Sequence, residues 1–386
     1  MSAETNRLPS VSDAKIRLRT PFLLLIGIVQ LVFSLAHWFL YETWVHFWYV
    51  PPAVPSRWLW VVVFILSLTF TAASVLSLQT ANILVRWFYT VSAAWIGFGS
   101  FALYAAIACW IVAGLQLLLG TALASRMIAG MLLGAAVMVT IYGVLNASSP
   151  RVRTFRVKLY GLPESWRGKT AALVSDLHLG PIRSAGTSRK TVEALNHLNP
   201  DIVFIPGDFY DGTTANLSAL AAPWKELRVP LGAYFVAGNH EQFRDDTPYF
   251  NALQGAGIHV LHNEKVIVDG LQVAGVHFAD SVQPARYHQV LRNMQIDPSR
   301  ASVLLSHAPS RLGVPEQEGI SLQLAGHTHG GQFWPYTWIT NRIFGRFVHG
   351  LSEFGRLTVL TTYGIGTWGP PLRVGTIPEV VLIEFV

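Results

Sequence analysis

The chain has 386 residues, of which 51% are apolar and 13% charged, with a formal net charge of +6 and a single cysteine. That length admits two domains, and residues 1–150 hold seven Lys and Arg against three Asp and Glu, while residues 151–386 hold twenty-one against nineteen. The basic excess therefore belongs largely to the flanks of apolar segments and gives no warrant for a nucleic-acid-binding surface. Cys109 alone allows neither an intrachain disulfide nor a thiolate zinc site, which suits a cytoplasm-facing domain and equally a cysteine-poor periplasmic one.

Residues 1–150 read as a transmembrane domain. Crossing about 30 Å of hydrocarbon takes roughly 20 apolar residues, and the chain offers such runs at about 21–41, 58–78, 88–115 and 127–146, predicting four helices. The third run is ambiguous, because residues 87–125 carry no charge and leave room for a tilted helix or a re-entrant end. Between the first two runs, Trp44, Trp48, Tyr49, Trp58 and Trp60 surround Pro51 and Pro52, as aromatic anchors at a headgroup layer would. His37 and His46 read as interfacial residues of the same region.

Orientation follows from basic residues. Arg7, Lys15, Arg17, Arg19, Arg86, Arg151, Arg153, Arg156 and Lys158 lie on one side, and Arg57 and Arg126 on the other. The positive-inside rule then puts the N-terminus and the domain after residue 150 in the cytoplasm, as a multi-pass protein of the inner (plasma) membrane. Ser34 and Ala36 mimic a signal-peptide cleavage site, but the apolar run continues past them, which favours an uncut helix.

Residues 151–386 alternate strand and helix patterns. "KTAALVSD", "DIVFIPGD", "LGAYFVAGN", "ASVLLSH" and "ISLQLAGH" are short apolar runs ending in polar residues or glycine turns. Between the first two, "SRKTVEALNHLNP" predicts a helix capped by Ser188, with Val192, Leu195 and Leu198 on one face and Pro200 as its stop. Alternation of this kind predicts an α/β domain.

In α/β sheets ligands bind outside the carboxyl ends of strands. Five strand ends carry Asp176 with His178, Asp208, Asn239 with His240, His307, and His327 with His329, so one crevice collects them all. Oxygen and imidazole donors without thiolate suit Mn, Fe, Zn or Mg. Extended backbone would hold i and i+2 side chains on one face about 6.5 Å apart, which fits two cations roughly 3.5–4 Å apart. Such a pair clamps a phosphoryl group and lowers the pKa of a bridging water to a hydroxide nucleophile, and an imidazole outside the ligand set can protonate the leaving oxygen. The adjacent glycines would let the backbone approach metals and phosphate.

"DLHLG", "GDFYDG", "GNHEQF", "LLSHAP" and "GHTHGGQ", in that order, resemble the calcineurin-like metallophosphoesterase superfamily over about residues 168–386. The tail "YGIGTWGPPLRVGTIPEVVLIEF" and the helical N-terminus resemble its membrane-associated bacterial branch. The resemblance implies two mixed β-sheets sandwiched between helices. It implies that Asp176, His178 and His329 hold one divalent metal and Asn239, His307 and His327 a second, with Asp208 bridging and His240 contacting the phosphate as acid or electrostatic stabiliser. Three departures or open roles stand beside it. Asp211 is followed by Gly212 and Thr213 rather than the Arg-Gly of protein phosphatases, and Tyr363 stands where the tail motif has arginine. Arg373 faces the substrate, or else pairs with Glu379 or solvent. Glu241 and Asp211 read as carboxylates orienting the ligands, and His197, His259, His262, His277, His288 and His349 as structural histidines.

The expected activity is hydrolysis of a phosphoester or pyrophosphate bond by a membrane-anchored enzyme, with the bilayer, a lipid-linked phosphoester and no nucleic acid as partners. A tethered nucleotide or cyclic-nucleotide phosphodiesterase and a non-catalytic membrane sensor are the alternatives. Residues 333–348, "FWPYTWITNRIFGRFV", read either as an apolar, basic flap that dips into the inner leaflet or as a loop packed over a sheet edge.

Overall fold

The computed structural model describes residues 20–48, 56–121, 125–243 and 245–386. The basic residues Arg7, Lys15, Arg17 and Arg19, together with Tyr49, Pro51, Pro52 and the Arg57 side chain, lie outside what is described. Among the described residues, four helices are long and apolar enough to cross a membrane: α1 (Thr20–Trp48), α2 (Ser56–Ser77), α3 (Ile83–Leu119) and α4 (Ser125–Ala147). The ambiguous third run is one continuous helix of 37 residues, started by Asn82 accepting from the Val85 amide and ended by Gly120 at φ 65°. Nothing in its interior breaks it, since Gly97, Gly99 and Gly114 cost helix propensity without blocking a hydrogen bond.

The chain forms two compact units, Met1–Thr71 and Ala72–Val386. In the first, α1 and the first part of α2 are joined by polar groups: Gln30 Nε2 donates to the Ser67 carbonyl at 3.1 Å, and Thr71 Oγ1 donates to Gln30 Oε1. Hydrogen bonds of this kind hold helices together where lipid offers no hydrophobic drive. The second unit contains α3, α4 and the whole α/β domain.

The α/β domain that the sequence pattern predicts holds, among the described residues, twelve strands in the two mixed sheets that the resemblance implies. Its strands are β1 (Arg151–Val157), β2 (Thr170–Leu173), β3 (Ile202–Ile205), β4 (Ala233–Phe235), β5 (Ile258–Val260), β6 (Glu264–Val268), β7 (Leu271–Gly275), β8 (Ser302–Leu305), β9 (Leu322–Ala325), β10 (Gly350–Phe354), β11 (Leu357–Thr361) and β12 (Glu379–Phe385). One sheet runs β1-β12-β2-β3-β4-β5 and the other β10-β11-β9-β8-β7-β6. Within them β2, β3 and β4 are parallel neighbours, as are β8 and β9. These central strands are buried on both faces, which is why they read as unbroken apolar runs.

Leu173, Phe204, Val303, Leu305, Leu324 and Ile383 pack between the two sheets. Helices cover the outer faces, and α5 (Ala185–Leu198) lays Val192 and Leu195 on the first sheet. This helix starts one turn before Ser188. Ser184 is its cap, while Ser188 is buried and accepts from Trp224 Nε1 at 3.1 Å. It ends on Asn199 in left-handed backbone, φ 50°, immediately before Pro200.

Candidate metal centre

Strands β2, β3 and β4 of one sheet and β8 and β9 of the other end at the same place, and the residues that follow them fill the gap between the sheets. All eight predicted site residues meet there. Asp176 stitches the sheets together, its carboxylate accepting from the His327 amide at 3.0 and 3.1 Å. His178 Nε2 lies 3.0 Å from His329 Nε2, and His329 Nε2 lies 3.5 Å from Asp176 Oδ1. On the other side, His307 Nε2 lies 3.1 Å from Asn239 Oδ1 and 3.1 Å from His327 Nδ1. Asp208 Oδ2 stands between these trios, 3.7 Å from His178 Nε2 and 3.2 Å from His307 Nε2.

The backbone differs from the extended geometry expected of paired ligands. Asp176, His178, Asp208, His327 and His329 all have positive φ, from 46° to 67°. His327 and His329 flank Thr328 in right-handed backbone, so an alternation of hand, rather than a strand pleat, sends the two imidazoles to separate trios. Left-handed backbone costs a non-glycine residue on the order of 1 kcal/mol. Five such residues at one spot mark a site whose geometry is imposed by its surroundings.

Two of the glycines are held closely by neighbouring carboxylates. A Cβ on Gly326 would overlap Asp176 Oδ2, and one on Gly238 would overlap Asp208 Oδ1. Both leave room for the carboxylates beside them.

Protonation states follow from hydrogen bonds. His307 Nδ1 donates to the Pro206 carbonyl at 2.7 Å, which turns the Nε2 lone pair toward Asn239, Asp208 and His327. Such a convergence of lone pairs fits a divalent cation, whose charge replaces the proton that would otherwise sit among them. Burial disfavours a charged His307, yet Asp208, Asp176 and the Pro206 carbonyl outweigh it and raise its pKa to about 9. Burial and the His307 charge lower His327 to about 3. Burial raises Asp176; it acts the same way on Asp208, where His307 and His240 overcome it and hold the carboxyl well below its usual range.

His240 sits at the rim of this cluster. Its Nδ1 donates to the Asp211 carbonyl at 3.0 Å, leaving Nε2 4.0 Å from Asp208 Oδ2. Its amide holds Asp208 Oδ1 at 3.0 Å. Phe243 and Trp368, both exposed, stand 4.7 and 6.2 Å from its ring.

Glu241 is fully buried and accepts from the amides of Asp208, Tyr210 and Gly238 at 2.8–3.1 Å, fixing the loops after β3 and β4 at once. Asp211 Oδ1 lies 3.4 Å from His178 Nδ1. Arg373 takes neither of its expected roles. It is fully buried and donates to the carbonyls of Tyr363 (2.7 Å), Gly366 (2.6 Å) and His329 (3.2 Å), with Nη2 also 3.2 Å from His329 Nδ1. Burial and the neighbouring Arg183 lower its pKa to about 9. Glu379 is instead held by His349 Nε2, Thr362 Oγ1 and the Tyr363 amide, and Tyr363 stacks on His349 at 3.9 Å.

The segment around Arg373 continues onto the helices. Asn146 Nδ2 in α4 donates to the Arg373 and Thr376 carbonyls at 3.0 and 2.8 Å, and the Arg373 amide donates to Gly143 at 2.9 Å. Leu372 occupies the space beside Gly97 of α3 and Gly143 of α4. Sequence reasoning missed Asn146; its one signal is an amide side chain in the last turn of an apolar helix. Other histidines are satisfied away from the cluster: His288 by Glu318 at 2.7 Å, His277 by Asp246 at 3.0 Å, and His259 by stacking on Tyr234.

The calcineurin-like phosphoesterase family profile matches residues 169–331. An uncharacterized metallophosphoesterase of Aquifex aeolicus is 31% identical over 257 residues, which cover 64% of this chain and 96% of that protein. Proteins described as transmembrane protein with metallophosphoesterase domain are 31% identical over 265 residues in Danio rerio and 32% over 271 in Bos taurus, covering 64% of this chain and 60% of each relative. The chain thus matches about 60% of the length of the two vertebrate relatives. On the match to the Aquifex aeolicus protein, and on the family profile over the strand-end residues, the chain belongs to the calcineurin-like metallophosphoesterases.

Proposed function

We propose that the chain is a membrane-anchored phosphoesterase that uses two divalent cations to hydrolyse a phosphoester or pyrophosphate bond, on a lipid-linked substrate, with the α/β domain on the cytoplasmic side of the inner (plasma) membrane. The observation that carries this reading is the pair of donor trios joined through Asp208 Oδ2. Asp176, His178 and His329 are assigned to one cation and Asn239, His307 and His327 to the other, with Asp208 shared. Bound divalent cations would supply positive charge for the phosphoryl oxygens and acidify a water to serve as nucleophile.

The protein's own part is positioning and proton transfer. His240 keeps Nδ1 on the Asp211 carbonyl, so Nε2 is the atom that hands a proton to the leaving oxygen. Glu241 holds the Asp208 and Gly238 loops, and Arg373 holds His329, so neither ligand pair has to reorganise as charge develops. Four apolar helices support the anchor, and an anchor raises the effective concentration of any substrate that shares its membrane.

The test is the full-length protein, loaded with Mn or Mg, assayed against bis(p-nitrophenyl) phosphate, a cyclic nucleotide, a nucleoside diphosphate-linked lipid and a phosphatidyl monoester. Cation-dependent turnover that disappears in Asp208→Asn, and is fastest on a lipid, is the expected result. Preference for the cyclic nucleotide would select the tethered phosphodiesterase. No turnover on any ester, with Asp208→Asn still abolishing a cellular function, would select the sensor.

A further inference from the structure

Helix α3 is far longer than a crossing requires, and its first half is occupied by the α/β domain. Arg86 Nε donates to the Pro181 carbonyl at 3.4 Å, Gly97 abuts Leu372 and Pro370, and the Phe101 ring lies 5.6 Å from Phe333. The last of these contacts is Tyr104, whose hydroxyl donates to the Trp334 carbonyl at 2.9 Å and whose ring meets the Trp334 ring at 5.0 Å. Only the fifteen residues Ala105–Leu119 remain beyond it.

Those fifteen residues rise about 22 Å, whereas a hydrocarbon core is about 30 Å thick. The far end cannot be drawn inward to close the gap. Gln116 and Ser125 hydrogen-bond to each other there, and Arg126 follows at the start of α4. An arginine at mid-bilayer costs roughly 2.5–3.5 kcal/mol, so Arg126 belongs at the distal headgroups. With the far turn fixed, the Tyr104–Trp334 contact falls about 8 Å inside the near edge of the hydrocarbon. Tilt of α3 would only deepen it.

The segment carried at that depth is built for it. The Tyr336–Phe344 helix has no buried residue, and it exposes Trp338 (59%) and Ile343 (68%) just after Trp334 (58%). Arg342 lies over the Trp338 ring at 5.8 Å, and Arg346 follows the helix, so cations accompany the apolar face as they do at an anionic lipid surface. At its other end Phe344 stands 6.1 Å from His327.

We propose that the Tyr336–Phe344 helix is embedded in the near leaflet, with Trp338 and Ile343 at the boundary of headgroups and acyl chains. The metal centre then opens at the plane of the membrane rather than above it. The occupant of this apolar face is the lipid leaflet, not a second protein chain. The inference rests on α3 and α4 crossing a bilayer; it does not depend on the hydrolytic reading.

The test uses the full chain with Cys109→Ala in vesicles of phosphatidylcholine and phosphatidylglycerol. Single cysteines at Trp338→Cys, Ile343→Cys and, as a polar position on the same helix, Asn341→Cys carry an environment-sensitive fluorophore. Ile111→Cys in α3 and Lys190→Cys on α5 serve as membrane and aqueous references. Aqueous iodide is expected to quench the Trp338 and Ile343 sites at least about threefold less than the Lys190 site, and shallow doxyl-labelled lipid to quench them strongly. Iodide quenching equal to that at Lys190, in all three flap variants while Ile111 is quenched by lipid, would overturn the proposal and leave the anchor intact. Iodide access to Ile111 would remove the anchor and this inference with it.

Discussion

The strand-end candidate ligands and the strap from Gly366 to Thr376 shape one site in opposite ways. The candidate ligands offer side chains whose chemistry is written in their type: carboxylates, imidazoles and one amide gathered around Asp208 and His307. The strap works through one buried guanidinium set among backbone carbonyls. Arg373 reaches three carbonyls and His329, while the carbonyls of Arg373 and Thr376 receive Asn146 from α4. The first region rests on donor atoms that face one another; the second rests on one side chain and on where the backbone passes around it. The difference also means that α4 is two hydrogen bonds away from a candidate metal ligand, so removing residues 1–150 would strip Gly143 and Asn146 from the strap and would not be a neutral truncation.

Substitutions separate the two regions. The largest effect is expected on the ligand side: Asp208→Asn, which keeps shape and removes the shared charge, should lower kcat by more than the roughly 100-fold typical of outer partners. Steady-state turnover of bis(p-nitrophenyl) phosphate with saturating Mn checks this, and a loss below tenfold would remove Asp208 from its bridging role. On the strap side, Arg373→Lys retains the charge but cannot serve Tyr363, Gly366 and His329 together. It should weaken cation affinity by about 10–100-fold, with turnover partly restored by added Mn. An unchanged titration of activity against Mn would show that Arg373 only fills space.

Asn146→Ala carries the comparison into the membrane helix. It leaves two buried carbonyls without their donor, which costs roughly 1–3 kcal/mol, and thermal unfolding in detergent should show a lower midpoint with turnover at saturating cation nearly intact. A fall in turnover at an unchanged midpoint would mean that the contact acts on chemistry instead.

The smallest expected effect concerns Glu379. Burial works against its charge, but hydrogen bonds from His349, Tyr363 and Thr362 prevail and lower its pKa. A carboxyl depressed in the folded state contributes stability above its unfolded pKa and loses it as pH falls through the folded value. Glu379→Gln should therefore cost stability at neutral pH and progressively less under acid, measured as urea midpoints. A cost that grows toward acid would contradict the assignment.

The residue types of the metal centre were legible because each strand ends in a short motif, and parallel strands bring their ends together whatever lies between. Backbone hand at His327 and His329 was not, since a histidine in left-handed backbone has no signature of its own and the pattern reads equally as a strand. Arg373 was ambiguous for a similar reason: an arginine beside prolines and glycines suggests solvent or substrate, and nothing local announces that carbonyls will enclose it. The third apolar run was open because charge-free sequence fixes composition and not continuity; the Asn82 and Gly120 caps close the question only once their backbone angles are seen. Helix starts slipped by one turn at Ser184, where two serines compete for the same cap.

The central claim is a pair of cations bridged by Asp208. Electron paramagnetic resonance of the full-length protein loaded with Mn tests it most directly, because two manganese ions sharing a bridge are spin-coupled and give a multiline signal that isolated ions do not. Two Mn per chain with a coupled signal are expected, reduced in Asp208→Asn to uncoupled Mn. A single uncoupled Mn per chain at saturation, unchanged by Asp208→Asn, would contradict it.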